Sequence, residues 1–243
     1  MEPPLLDLDE AEEAIRRCNG SAEFRAADRL MHTHFPSPEA ALDAASIAER
    51  VVLINGVWAT QMFWKQGLVD RVIETLRRGA DQVLQVCRSL DPAVLERSPA
   101  RVVEAARIAM PIALGLTDAD GSGGPYSFAT KFLHWTTRCH FPIMDSRARA
   151  AINRLQRSRG MEPRVPQSTG DLPWQEDYPR WIAFFSQIIG SLAPHNRERL
   201  IRADRDSQPE PDPCQNSLLR VLDKAFYALG SAPDESAAIP PGG

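Results

Sequence analysis

The sequence predicts an all-α protein, and three observations carry that expectation. Apolar residues recur at three- and four-residue spacing along most of the chain, and no segment alternates with period two over a strand's length. Ser, Asp, Pro and Gly fall where helices would begin and end. The expected organisation is one helical domain over residues 1–230 and a disordered tail, SAPDESAAIPPGG, over 231–243.

Taken in order, helices are expected over residues 10–18 (EAEEAIRRC), 38–64 and 68–90, with Gly56, Gly67 and Gly79 as breaks or points of close approach. The segment DPAVLERS at 91–98 leads into SPARVVEAARIAMPIALGL at 98–116. Ser98 followed by Pro99 is a helix start, because the first helical position has no use for an N–H. Pro111 is expected to end or kink that helix by interrupting its hydrogen-bond ladder. TDADGSGGP at 117–125 is a turn. YSFATKFLHWTTR follows as a helix, CHFPIM as an extended connector, and DSRARAAINRLQRSR as a helix capped by Asp145 or Ser146. Residues 160–173 and 204–215 read as loops, and 178–193 and 217–230 as amphipathic helices.

Composition bounds the classes of function. A chain of 243 residues, 43% hydrophobic and 25% charged, suits a water-soluble globular protein. No apolar run reaches the roughly 18 residues of a membrane span, so no membrane partner is expected. The acidic start MEPPLLDLDEAEEA lacks the basic and apolar regions of a secretory signal, which points to the cytoplasm. Cys18, Cys87, Cys139 and Cys214 form no CxxC pair, and neither His32-Thr33-His34 nor Cys139-His140 continues into a ligand spacing. No metal, metal cluster or cofactor is expected. The net charge of −4 gives no global attraction to nucleic acid. Locally, seven arginines between Arg138 and Arg164 face only Asp145 and Glu162, a basic patch suited to phosphates.

Two charges inside packing segments single out residues 121–155. Lys131 sits in an apolar helical pattern, and Asp145 follows 14 residues later at the start of an arginine-rich helix. Asp145 is either a helix cap or a carboxylate held at a cleft, and Lys131 either snorkels or serves as an amine nucleophile. The glycine-rich turn before them either supplies positive φ or presents N–H groups to a phosphate. It has no GK[ST] and is not a nucleotide-binding P-loop.

Gly123-Gly124-Pro125-Tyr126-Ser127-Phe128-Ala129, followed by Met144-Asp145-Ser146-Arg147, resembles the hairpin-plus-aspartate signature of the helix-hairpin-helix DNA glycosylases. The spacing from Ala129 to Asp145 is sixteen residues, as in that pattern, and Arg149 and Arg154-Leu155 fall near the family's next basic positions. The resemblance covers about 35 residues, those of the hairpin and catalytic segment within 117–157. It implies a two-lobed helical fold with a cleft between the lobes and duplex DNA with a flipped base as partner. It also implies nucleoid association when bound, and cleavage of the N-glycosidic bond of a damaged or modified base assisted by Asp145. Gly123, Gly124, Ser127, Arg147 and Arg149 are then DNA contacts. Pro125 stands where the second hairpin glycine is expected. The lysine of strand-nicking members falls where Ser127 stands, one helical turn before Lys131. Lys131 is thus a displaced nucleophile that forms a Schiff base, or the enzyme uses water.

In the same family an early helix offers a residue that fills the gap left by the flipped base, and Asn55, Trp58 and Gln61 in LINGVWATQMFWKQ are the candidates. Tryptophans in a core helix are the competing reading of that stretch. His134, three residues after Lys131, either lines the base pocket or packs in the core. Two other classes compete: a non-catalytic helical module that binds DNA or a protein, and an enzyme acting on a free nucleoside.

Overall fold

The computed structural model describes residues 5–58, 60, 62, 66–91, 93–116, 125–168, 171–208 and 216–231, and these form twelve helices and no strand. α1 (Leu8–Gly20) starts where the Asp7 carboxylate accepts from the Asp9 and Glu10 amides. α2 (Ala22–His34) starts on Ser21, whose hydroxyl accepts from the Phe24 amide. α3 (Pro38–Ala41) and α4 (Ile47–Trp58) divide the stretch expected as one helix over 38–64. Between them Ser46 donates to the Asp43 carboxylate, and the Asp43 carbonyl accepts from the Ser46 and Ile47 amides. That local turn competes with the helix ladder.

α5 (Leu68–Ser89), α6 (Val94–Arg97) and α7 (Pro99–Leu114) follow. α7 continues past Pro111 and ends at Gly115, whose φ of 68° is left-handed. A Cβ at Gly115 would also lie 2.8 Å from Val72 Cγ2 on α5, so both conformation and packing require glycine there. The remaining helices are α8 (Tyr126–Thr136), α9 (Ser146–Arg159), α10 (Trp174–Ser191), α11 (Pro194–Asp206) and α12 (Leu218–Ser231).

α2 and α11 go beyond the sequence expectation, and for one physical reason. α2 buries Phe24, Asp28 and Met31, and α11 buries Leu200, Ala203 and Asp204. Each helix gives an inward position to an aspartate, which breaks the apolar periodicity that announces a helix.

The closest helix packing falls into two sets. α12 lies on α9, α1 and α11, with α2 on α1; α7 lies on α5, α8, α10 and α6, with α4 on α5 and α8. One apolar core runs through both, from Ile15 through Phe132 and Trp181 to Phe226. α8 belongs to one set and α9 to the other, so the connector between them crosses from set to set. α12 meets the first turn of α9 so closely that a Cβ on Gly230 would sit 1.7 Å from the Arg147 carbonyl oxygen. Among the described residues no helix is long and apolar enough to cross a membrane.

Candidate functional site

The connector delivers Asp145 to a fixed place because its four preceding residues are each tied to a buried side chain. It leaves α8 with Arg138 and Cys139 at φ of 55° and 66°, and the Cys139 amide donates back to His134 O at 2.7 Å. This is the helix-ending closure usually left to glycine. His134 Nδ1 donates to Phe141 O at 2.7 Å, and Tyr178 OH donates to Pro142 O at 2.8 Å. Trp181 Nε1 donates to Ile143 O at 3.0 Å, and the Met144 amide donates to Thr130 Oγ1 at 3.1 Å. Asp145 then caps α9, its Oδ1 accepting from the Arg147 amide at 2.8 Å.

With Oδ1 engaged by the cap, Oδ2 faces α8. Lys131 Nζ lies 3.2 Å from it and 2.9 Å from Ser127 Oγ. About one helical turn separates Lys131 from Ser127, an axial offset of about 6 Å for four residues, and the lysine side chain recovers it by reaching back toward the helix start. Its ammonium therefore lies beside Ser127. The Trp58 ring completes the enclosure, 5.9 Å from Nζ to its centroid. Lys131 is 4% exposed, the Asp145 side chain 17% exposed, and Ser146 and Arg147 beside them are exposed. An amine and a carboxylate in hydrogen-bond contact can exchange a proton, which is the first requirement of an amine nucleophile.

The other expected site residues divide. Ser127 and Trp58 stand at the pair. Arg147 is exposed, with its guanidinium 5.0 Å over the Tyr227 ring and Nη1 donating to Tyr227 OH at 2.6 Å. Three expectations need correction. Arg149 is 2% exposed and does not reach a DNA backbone: Nη2 lies 2.8 Å from Asp177 Oδ2, Nη1 lies 2.8 Å from Pro166 O, and the guanidinium packs 5.3 Å from the Trp181 ring. It braces α9 against α10. His134 is fully buried and holds the connector instead of lining a base pocket. Burial, reinforced by the Arg220 charge, pushes its pKa down to about 3, so it stays neutral at physiological pH. Asn55 is buried too; its Oδ1 accepts from Thr60 Oγ1 at 2.6 Å and the Met62 amide at 2.9 Å, so it closes the end of α4 and does not project as a wedge. Gly123, Gly124 and Gln61 lie outside the described residues.

Sequence reasoning missed a buried ionic cluster behind the pair. Arg220 donates to Asp28 Oδ1 from Nε at 3.1 Å and Nη2 at 2.6 Å, and from Nη1 to Asp223 Oδ2. Lys224 Nζ lies 2.9 Å from Asp28 Oδ2 and 2.9 Å from Asp204 Oδ1. Burial raises the Asp28 carboxyl, but the charges and hydrogen bonds of Arg220 and Lys224 outweigh it and hold Asp28 well below the usual carboxylate range. Arg220 is also packed by Trp135 at 4.9 Å, Phe24 at 5.3 Å and Trp58 at 5.9 Å. The available signal was in SLLRVLDKAFYALG, where positions 220, 223 and 224 place three charges on one face of an otherwise apolar helix.

A cleft of about 1130 Å³ opens elsewhere, at the far end of α8, between Trp135, Arg138, His140, Phe35 and Leu219. Lys131 and Asp145 do not border it. Two of its three arginines, Arg88 and Arg197, are matched by Glu39 and Glu96, and the third, Arg138, is exposed; the reactive pair marks the better candidate. Among the described residues no three His, Cys, Asp or Glu side chains converge on a metal position. No family model, curated protein or solved structure matches the chain.

Proposed function

We propose that the protein is a DNA N-glycosylase of helix-hairpin-helix type, with its site between two helical lobes. The single observation that carries the reading is the contact between Lys131 Nζ and Asp145 Oδ2 across the α8–α9 connector. Supporting it, Lys131 and Asp145 come from the two different packing sets, as a site between lobes requires.

In this reading Asp145 takes a proton from the Lys131 ammonium. The freed amine attacks C1′ of a flipped nucleotide, forming a C–N bond as the bond from C1′ to the base breaks. The electron pair leaves with the base, which takes the proton back from Asp145. The lysine nitrogen then gives up a proton, which passes to the ring oxygen as the C1′–oxygen bond breaks, and its freed pair forms an imine that water hydrolyses. Arg157 and Arg159, exposed in the last turn of α9, are phosphate contacts alongside Arg147. The test is a panel of duplexes each carrying one damaged or modified base, scored for base release. Asp145→Asn is expected to lose about 10²-fold or more of the activity. Equal release by wild type and Asp145→Asn contradicts the assignment.

A second reading, a helical module that binds DNA or a protein without chemistry, draws on the burial of Lys131 and the hydrogen bonds of its ammonium to Ser127 and Asp145. It expects salt-sensitive DNA binding that Asp145→Asn leaves unchanged, with no base released from any duplex.

A further inference from the structure

The cleft at the far end of α8 draws its walls from both packing sets. α2, α11 and α12 contribute His32, Ile201 and Leu219, while α5, α6 and α10 contribute Cys87, Val94 and Ile189. We propose that this cleft is a second binding site, for a small carboxylate with an apolar body. The proposal is independent of the reading of Lys131 and Asp145, which do not border the cleft.

The lining divides into apolar and charged parts. Phe35, Leu90, Val94, Leu95, Ile189 and Leu219 are buried, whereas Glu39, Arg88, Glu96 and Arg138 are exposed. A volume of about 1130 Å³ is ample for a small organic molecule, and apolar walls with a few polar groups are the usual make-up of such a site. The charges fix the sign of the ligand. Three arginines and two glutamates line the cleft, with no lysine or aspartate. Both glutamates are taken. Arg197 Nη1 and Nη2 each lie 2.6 Å from Glu96, and Arg88 Nη2 lies 3.3 Å from Glu39. One positive charge remains, that of Arg138, and among the described residues no carboxylate pairs with it. Burial lowers His140 below its ordinary value, so this neighbour adds no charge near neutrality.

The backbone singles out the same residue. Arg138 and Cys139, at φ of 55° and 66°, occupy a region that is costly for a residue with a Cβ and free for glycine. The turn uses only the main chain of Arg138: its amide donates to Trp135 O at 3.3 Å, and its carbonyl accepts from His140 Nδ1 at 3.2 Å. The guanidinium is left over at the cleft. A strained position that carries an unused functional group points to a ligand, since folding gains nothing from an arginine there. A carboxylate suits it, because two oxygens match the planar fork of N–H donors. An apolar body attached to that carboxylate then covers the buried lining and takes it out of water.

Octanoate is the probe, used at low ionic strength because salt screens an exposed pair. Calorimetry gives its affinity, and NMR of the Trp135 indole N–H, assigned by its loss in Trp135→Phe, reports the place, since Trp135 lines the cleft. Octanoate is expected to move that signal saturably. Octanol and inorganic phosphate, each lacking one half of the recognised chemistry, are expected to bind about tenfold more weakly or worse. Arg138→Gln is expected to weaken octanoate about tenfold. Arg107→Gln, which removes an exposed arginine of α7 outside the cleft, is expected to leave its affinity unchanged. Octanol that binds wild type as tightly as octanoate overturns the proposal, whether or not Arg138→Gln folds. So does an octanoate affinity that Arg138→Gln leaves intact, or a Trp135 signal that octanoate does not move.

Discussion

Replacing Arg149 by methionine separates a structural arginine from a DNA contact. Methionine keeps most of the apolar stem but removes both hydrogen bonds to Asp177, the bond to Pro166 O and the packing on Trp181. Pro166 O keeps Asn153 Nδ2 at 3.2 Å, so the dominant cost is the Asp177 carboxylate, fully buried and stripped of its cation. Removing one partner of such a pair costs about 3–5 kcal/mol. At about 2–4 °C per kcal/mol for a chain of this size, the melting temperature is expected to fall by about 6–20 °C. Burial already holds the Asp177 carboxyl above its ordinary value against the pull of Arg149, so without the arginine it takes up a proton readily. The deficit against wild type is therefore expected to be smaller in acid than at neutral pH. Adding Asp177→Val should restore most of the loss, because an apolar replacement of both partners is close to neutral. The assay is urea unfolding at both pH values, with DNA affinity measured on the folded variant. Arg149→Met that melts within about 2 °C of wild type yet binds DNA more weakly would refute the structural reasoning.

Other perturbations test other parts of the fold. Gly230→Ala should cost about 1–3 kcal/mol, since its Cβ cannot coexist with the Arg147 carbonyl and α12 must move off the first turn of α9; circular dichroism melting checks this. Asp28 and Asp223 should respond to pH with opposite signs. The depressed Asp28 contributes stability that is present above its unfolded value and lost as pH falls, so Asp28→Asn should cost about 3–5 kcal/mol near neutrality and less in acid. The raised Asp223 contributes stability that is present below its unfolded value and lost as pH rises through about 6, so Asp223→Asn should gain on wild type across that window. Unfolding curves at three pH values distinguish the two. In the glycosylase reading, Arg157→Gln with Arg159→Gln should lower the slope of log affinity against log salt by about 2, read by fluorescence anisotropy.

The helical class was legible because apolar residues recur at helical spacing through α5, α7, α9 and α12, which fall close to where the periodicity puts them even though α9 also buries Arg149 and α12 buries Arg220, Asp223 and Lys224. α2 and α11 were not, because Asp28 and Asp204 occupy inward positions made tolerable by partners on other elements: Arg220 and Lys224 of α12 for Asp28, and Lys224, Asn19 and Asn216 for Asp204. The spacing of Lys131 and Asp145 was readable, but their contact was not. It depends on Tyr178 and Trp181 of α10 fixing the connector, and no local pattern announces that. The arginine run misled for a related reason. Composition made it a basic patch, yet Arg149 points inward to Asp177 and Arg154 donates to Leu229 O at 2.7 Å, leaving a smaller exposed set. Asn55 and His134 were polar interruptions of apolar helices, and both proved to satisfy nearby backbone groups.

Borohydride reduction of the protein incubated with lesion-bearing duplex tests the Lys131–Asp145 reading most directly, because only an imine between the chain and the sugar is captured. Wild type should yield a covalent protein–DNA adduct, Lys131→Met should yield none, and Ser127→Ala should retain it. An adduct of undiminished yield in Lys131→Met, or the absence of both adduct and base release across every duplex, contradicts a lysine nucleophile held by Asp145.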